Sequence, residues 1–461
     1  MVLLKMLIQT VKSEIVSHLS YIIGNKNEAA VIDPRRDCKV YVDIANKWGV
    51  KINCIFETHR NEDYVIGSAG LSEKTDAEVW HADSQMNYEY GNGVEDGQEW
   101  GAGGLRIKAI HSPGHTPGSM SYLLHDTDGN PWVLFSGDAL FAGDVGRVDL
   151  LGMDRAEELA GMLYETIFGK FLTLGDEVLL CPAHGSGSVC GSKISERLWT
   201  TLGLERKYNL KLQYDSEKEF IEEIAVELDR PPYFRKMEEL NLKGAPLPDG
   251  LPEPVPISPG ELDKMESEET FILDTRSELG FGAAHVPGAQ SIWLEGLPDF
   301  AGWFIPYDRD IVLVSESENT ETAIRYLVRM GYDRIRGVLA GGMLSWNMSG
   351  KKTGSIETKS VDNFCRLLDE EGAMFILDVR KEEEIEEKGE IIGALNIPLT
   401  QLKDNLNNIP KDRQIHIFCG SGLRSMIAAS YLGRKGWEKL AVILGGLAGW
   451  SSATCPLEIQ S

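Results

Sequence analysis

Four short apolar runs punctuate the first half of the chain: Ala30-Val31-Ile32, Cys54-Ile55-Phe56, Trp132-Val133-Leu134-Phe135 and Glu177-Val178-Leu179-Leu180. Each reads as a strand and ends in a turn bearing Asp, His or Gly, the pattern of an α/β domain. Further on, the pattern repeats. Phe271-Ile-Leu-Asp-Thr-Arg276 returns 104 residues later as Phe375-Ile-Leu-Asp-Val-Arg380. Gly341-Gly342 with Trp346 returns as Gly445-Gly446 with Trp450, and Ile311-Val-Leu-Val returns as Ile415-His-Ile-Phe, at the same offset. Three anchors at one spacing mark a duplication. Each copy alternates buried strand and amphipathic helix, which predicts a small parallel sheet covered on both faces. Eight prolines between Pro231 and Pro259 read as an extended linker. The expected division is 1–229, linker 230–256, then repeats 257–353 and 354–461.

A length of 461 residues fits three domains at roughly 100–200 residues each. Forty-six basic against 71 acidic residues leave a net charge of −25, which disfavours nucleic acid and an anionic membrane surface as partners. No apolar run approaches the ~18 residues of a membrane span, and residues 1–8 are too short an apolar stretch for a signal peptide. Seven scattered cysteines without a CxxC pair argue against a disulfide scaffold and for a reducing compartment, so the expected location is cytoplasmic. Cys365 and Cys455 read as packing residues, and Cys190, close in sequence to His184, reads as a packing residue or as one with a catalytic or redox role.

Candidate metal chemistry lies at four strand ends: His59-Arg-Asn61-Glu-Asp63-Tyr64, Gly114-His115-Thr-Pro-Gly118, Gly137-Asp138-Ala-Leu140 and Pro182-Ala-His184-Gly185. This order resembles the metallo-β-lactamase fold, which implies an αβ/βα sandwich over about residues 1–200. The usual HxHxDH is broken, because Asn61 and Tyr64 replace two histidines. Asn is a poor zinc ligand and neutral Tyr a rare one, so a two-zinc hydrolytic site is disfavoured. His59, His115 and Asp138 remain, and two imidazoles with one carboxylate form the facial triad of mononuclear non-haem iron(II). The resemblance extends to the persulfide dioxygenase branch of the fold, whose iron ligands occupy these three positions. It implies one Fe(II) and no second metal, with Asp63 and His184 orienting ligands through hydrogen bonds. Arg147 is expected to face an anionic substrate, or else to pair internally with Asp149. His18, His81, His111 and His125 read as structural or surface residues.

In the second repeat, Cys419-Gly420-Ser421-Gly422-Leu423-Arg424-Ser425 follows a strand and precedes a helix. Such a loop turns backbone N–H groups toward the cysteine sulfur, and Arg424 adds positive charge, so Cys419 is poised as a nucleophile. With Asp378-Val-Arg380 and the closing Gly-Gly-x-x-x-Trp, it resembles the rhodanese family, which implies that Cys419 carries sulfane sulfur in an anion cradle of Gly420, Ser421, Gly422, Leu423 and Ser425. The first repeat keeps this frame, but Ser315-Glu-Ser-Glu-Asn-Thr-Glu321 replaces the loop, and its glutamates repel anionic sulfur. That copy is expected to be inactive. The acidic run Glu382–Glu387 reads as a solvated helical face.

The whole order resembles persulfide dioxygenases fused to tandem rhodanese domains. It implies a thiol persulfide, O2 and sulfite or thiosulfate as partners, and a homo-oligomer is compatible with it. The residues leave three other readings open: a metal-dependent thioester hydrolase, a sulfurtransferase on a degenerate metallo-β-lactamase scaffold, and a carrier that hands sulfur from Cys419 to a partner protein.

Overall fold

The computed structural model describes residues 6–460 apart from 14–16, 103–104, 189, 192, 229, 248–249, 266–267, 372–373 and 451–458. The chain forms two compact units, one of residues 1–251 with 328–331 and one of the remainder.

In the first unit, β1 (Leu7–Ser13), β2 (His18–Asn25), β3 (Glu28–Ile32), β4 (Lys51–Glu57), β5 (Glu78–His81) and β6 (Asn92–Gly93) form one sheet in sequence order. The second sheet runs from β7 (Glu99–Ala102) through β8 (Leu105–His111), β9 (Met120–His125), β10 (Pro131–Gly137) and β11 (Leu179–Pro182) to β12 (Thr200–Thr201). Alternation along the strands explains the layering. Tyr21 and Ile23 of β2 pack with Val133 and Phe135 of β10 in the core between the sheets. Ile22 turns the other way onto Tyr41 and Ile44 of helix Lys39–Trp48, and Leu134 turns onto Leu159 and Leu163 of helix Ala156–Tyr164. The result is an αβ/βα sandwich. The β3–β4 and β10–β11 pairs are both parallel, so neighbouring chain turns leave each pair at the same end.

The second unit repeats one topology. Strands β13 (Pro256–Ile257), β14 (Thr270–Asp274), β15 (Gln290–Ser291), β16 (Asp310–Val314) and β17 (Ile335–Leu339) lie in the order β13-β17-β16-β14-β15. Strands β18 (Glu357–Ser360), β19 (Phe375–Asp378), β21 (Leu395–Asn396), β22 (Ile415–Phe418) and β23 (Leu440–Leu444) lie in the order β18-β23-β22-β19-β21, while β20 (Glu390–Ile391) pairs with β24 (Ile459–Gln460). The duplication holds in register, since Phe271 faces Ile311 and Phe375 faces Ile415. The first copy packs on the second. Buried Gln290 donates to Ser430 Oγ (2.6 Å) and to the Ile427 carbonyl (3.1 Å) on helix Leu423–Arg434.

Two expectations are corrected. The proline-rich stretch is not extended throughout, because the prolines flank a helix, Phe234–Lys243, and leave its interior free of them. Cys365 is disulfide-bonded rather than a simple packing residue, and Cys455 lies outside the described residues.

The helix earns its place through Asn241. Its amide donates to the carbonyls of Asn61 (2.6 Å) and Tyr64 (2.9 Å), and its oxygen accepts from Ile66 N (2.8 Å). One buried side chain thus satisfies three main-chain groups of the loop after β4. Asn241→Ala leaves those groups unpaired in the interior, and the expected loss is about 2–4 kcal/mol in equilibrium denaturant unfolding.

Candidate metal centre and sulfur-transfer loop

The first site gathers side chains from the ends of both sheets. His59 follows β4 and is held by a relay from the end of β3: Thr58 donates through N and Oγ1 to the Asp33 carboxylate (both 2.8 Å), and Thr58 Oγ1 lies 2.9 Å from His59 Nδ1. Burial pushes Asp33 up to about 6, against the pull of the nearby His59 and the Thr58 hydrogen bonds. His115, in the turn between β8 and β9, donates from Nδ1 to the Arg147 carbonyl (2.9 Å), which turns Nε2 inward. Asp138 ends β10, and its Oδ2 lies 3.6 Å from both His59 Nε2 and His115 Nε2. Ligand atoms about 2.1 Å from a common ion stand about 3.0–3.4 Å apart, so this spacing is close to a coordination shell.

His184 lies between two carboxylates, with Nδ1 2.8 Å from Asp138 Oδ1 and Nε2 3.0 Å from Asp63 Oδ2. Although burial opposes it, the charges of Asp138 and Asp63 hold His184 well above the usual histidine range. Burial likewise opposes ionisation of Asp138, but His184 and then His59 hold that carboxyl well below the usual range.

Glu62 is the residue that the sequence reading missed. It is fully buried, with Oε1 2.9 Å from His115 Nε2, and it groups with His59 and His115 at ligand spacing. Cys190 is also fully buried and stands at ligand spacing from Asp63 with His184 and from His115 with Asp138, although burial and the surrounding carboxylates keep its thiol neutral. Only the three-dimensional loop path reveals Glu62, whereas Cys190 already stands close in sequence to His184. His59 Nε2, Glu62 Oε2 and Asp63 Oδ1 are buried without a hydrogen bond, while His115 Nε2 and His184 Nε2 face only the carboxylates of Glu62 and Asp63. A buried cluster of imidazoles and carboxylates of this kind fits a bound cation.

Asn61 and Tyr64 are only partly engaged, since Asn61 Oδ1 and the Tyr64 hydroxyl are buried without a hydrogen bond. Asn61 Nδ2 donates to the His59 carbonyl (3.2 Å), and Tyr64 stacks on His18 at 3.9 Å. His18 is thus buried against the site, with its ring also 5.8 Å from that of His184. Arg147 differs from the substrate-facing expectation. Its guanidinium is buried in a bidentate pair with Asp149 (2.7 and 2.6 Å), and it supports the site through its carbonyl. A cavity of about 490 Å3, lined by Arg60, Met86, His111, Leu150 and Leu151 among others, reaches His115.

In the second unit, Cys419 ends β22 and is fully buried, and Gly422 N donates to its Sγ at 3.1 Å. Gly422 caps the following helix at φ +108°, a conformation that L side chains avoid. The Gly-Gly-x-x-x-Trp turn explains the loop. Leu447 N, Ala448 N and Gly445 N donate to the carbonyls of Cys419, Gly420 and Ser421, which hold those carbonyls on the turn. A Cβ on Gly446 would stand 2.1 Å from the Cys419 oxygen. Ser425 is buried in the first turn of that helix, after Leu423 and Arg424. Arg424 is paired with Glu384, whose carboxyl is drawn down to about 2 by that hydrogen bond, so the expectation of a wholly solvated acidic face is corrected at this position. In the first copy, Ser315 Oγ bonds its own loop at the Glu316 carbonyl (3.1 Å).

The comparisons agree with this architecture. The metallo-beta-lactamase superfamily matches residues 14–184, and the rhodanese-like domain family matches residues 258–349 and again 360–453. The chain therefore joins a metallo-beta-lactamase superfamily domain to two rhodanese-like domains. Among its relatives, persulfide dioxygenase ETHE1 of Bos taurus, a mitochondrial protein, is 27% identical over 218 residues, 43% of this chain and 73% of that one. Hydroxyacylglutathione hydrolase GloC of Haemophilus influenzae is 24% identical over 215 residues, 41% of this chain and 90% of that one. A metallo-beta-lactamase crystal structure from Staphylococcus aureus subsp. aureus COL aligns with a TM-score of 0.65 at 27% identity, covering 73% of this chain and 99% of that one. The fold implies a metal at the site. Among the described residues, no helix is long and apolar enough to cross a membrane.

Despite burial, the Glu62 carboxylate pushes His115 up to about 9, so in the metal-free protein a proton occupies the nitrogen that a cation would take. A divalent ion must displace it. Apparent affinity for Co(II), followed by its visible absorption, should rise with pH from 6 toward about 9 and then level off.

Proposed function

We propose that the chain is a persulfide dioxygenase with a coupled sulfurtransferase: the first domain oxidises the terminal sulfur of a low-molecular-weight thiol persulfide to sulfite, and Cys419 exchanges sulfane sulfur. The observation that carries this reading is the fate of the two replaced histidines. Asn61 and Tyr64 put an amide and a phenol, both weak metal ligands, where imidazoles would stand, while His59, His115 and Asp138 still converge, with Asp138 Oδ2 3.6 Å from both imidazole Nε2 atoms. Such a site suits one ion better than the metal pair of a hydrolase. The likeness to persulfide dioxygenase ETHE1 points the same way.

His59, His115 and Asp138 would hold one iron(II), which supplies open positions for sulfur and oxygen. The overall reaction balances as RSSH + O2 + H2O giving RSH and H2SO3, with sulfur losing the four electrons that O2 gains. The chain's own groups set the conditions. Thr58 and the Arg147 carbonyl fix the two imidazole tautomers, His184 holds Asp138 ionised, and the cavity beside His115 takes the organic part of the thiol. Glu62, within reach of His115 Nε2, is placed to accept a proton or to serve as a further ligand.

In the second unit, the Cys419 thiolate attacks the sulfane sulfur of thiosulfate. An S–S bond forms on the enzyme as the bond to sulfite breaks, and the reverse step returns thiosulfate. Gly422 N–H stabilises the sulfur anion. Joining both activities in one chain raises the effective concentration of sulfite near Cys419.

The two sites should separate by mutation. His115→Ala is expected to abolish oxygen uptake and bound iron while thiosulfate:cyanide transfer persists, and Cys419→Ala is expected to do the reverse. Loss of both activities in either folded variant would contradict the division.

A further inference from the structure

A large cleft of the second unit is remote from Cys419 and belongs to neither proposed reaction. It encloses about 870 Å3 and is lined by residues of both rhodanese-like copies. Its position relative to the nucleophile follows from helix geometry. Arg434 closes helix Leu423–Arg434, whose first turn adjoins the Cys419 loop, so the cleft lies about 16 Å along the helix axis from that loop.

Its charge runs against the composition of the chain. Acidic residues outnumber basic ones 71 to 46 overall, yet Arg309, Lys352, Lys403, Arg434 and Lys435 line this cleft against only Asp263 and Asp308. Asp263 is already paired with Lys351 (2.6 Å). Among the described residues, no carboxylate lies within salt-bridge distance of Lys352, Lys403, Arg434 or Lys435. The cations also disfavour one another. Partial burial and then the charge of Arg309 push Arg434 down from its usual value, and desolvation and then Lys435 push Lys403 down. An uncompensated cluster of this kind is relieved by an anion.

The floor is aromatic. Phe271, Phe304 and Tyr431 are buried, with the Phe304 and Tyr431 rings 5.4 Å apart. Arg434 lies over Phe271 at 4.3 Å, and Lys403 lies over Phe304 at 5.6 Å. The ring faces are thus already covered, and the floor offers apolar contact; beneath a cationic rim it matches a ligand with an apolar part and a polyanionic end. Arg434 offers a planar fork suited to phosphate oxygens, and the flexible lysines supply point charges.

We infer that this cleft binds an organic anion that carries phosphate groups beside an apolar part, the chemistry of a nucleotide or a nucleotide-bearing coenzyme. Occupancy would brace the two rhodanese-like copies against each other at the end of the helix that begins beside Cys419.

The test is calorimetric titration of the full chain at low salt with ATP, with coenzyme A and with tripolyphosphate, which has the charge but no ring. Saturable binding of ATP or coenzyme A is expected, with tripolyphosphate weaker by on the order of tenfold. The variant Lys403→Gln/Arg434→Gln, confirmed as folded by circular dichroism, should weaken nucleotide binding by at least about tenfold. Exposed Lys403→Gln alone gives the same test at smaller amplitude if the double variant fails to fold. No saturable binding of either nucleotide, equal binding of tripolyphosphate, or affinity unchanged in the folded variants would each overturn the inference.

Discussion

The first domain depends on one constraint: ionisable groups are concentrated, dry and incompletely bonded, where the two sheets end. His59, Glu62, Asp63, His115, Asp138 and His184 are all at most 2% exposed. Burying such groups costs several kcal/mol each unless partners offset it. Protein partners supply part of the offset, through the Asp33–Thr58–His59 relay, the Arg147 carbonyl and the His184 bridge between Asp138 and Asp63. His59 Nε2 and Glu62 Oε2 are left over, and His115 Nε2 has only the buried Glu62 carboxylate. A cation at their centre is the simplest completion, and the surrounding fold reads as the scaffold that keeps those atoms in place without one.

The second unit shows the complementary case, one frame built twice around different loops. Both copies keep the sheet order, the strand-end Asp–Arg pair (2.6 Å for Asp274–Arg276 and 2.7 Å for Asp378–Arg380) and the Gly-Gly turn. Only one copy presents a sulfur to a backbone N–H. The first copy contributes packing, because Gln290 clasps the helix that begins next to Cys419. Retention of its frame therefore has a structural cause even without a nucleophile.

What the sequence makes legible follows from where the information is local. The 104-residue repeat is readable because paired strands such as Phe271–Ile311 and Phe375–Ile415 impose the same apolar spacing twice. The triad positions are readable because His59 and Asp138 directly follow a strand or its end and His115 sits in a Gly-His-Thr-Pro-Gly turn between two strands. Glu62 and Asn241 are not, since a carboxylate one residue from Asp63 and an amide in a proline-flanked helix acquire meaning only when the chain brings them 2.9 Å from His115 and 2.6 Å from the Asn61 carbonyl. Glu384 is hidden for a related reason. A run of glutamates looks uniformly solvated until helix phase turns one of them onto Arg424.

The most direct test is to load the purified chain with iron(II) under anaerobic conditions, count bound iron, and then follow oxygen consumption and sulfite on adding a thiol persulfide. One iron per chain, with sulfite formed in proportion to oxygen consumed, is the predicted result. Stoichiometric iron without oxygen uptake for several thiol persulfides, or two tightly bound metals with thioester hydrolysis, would contradict the account.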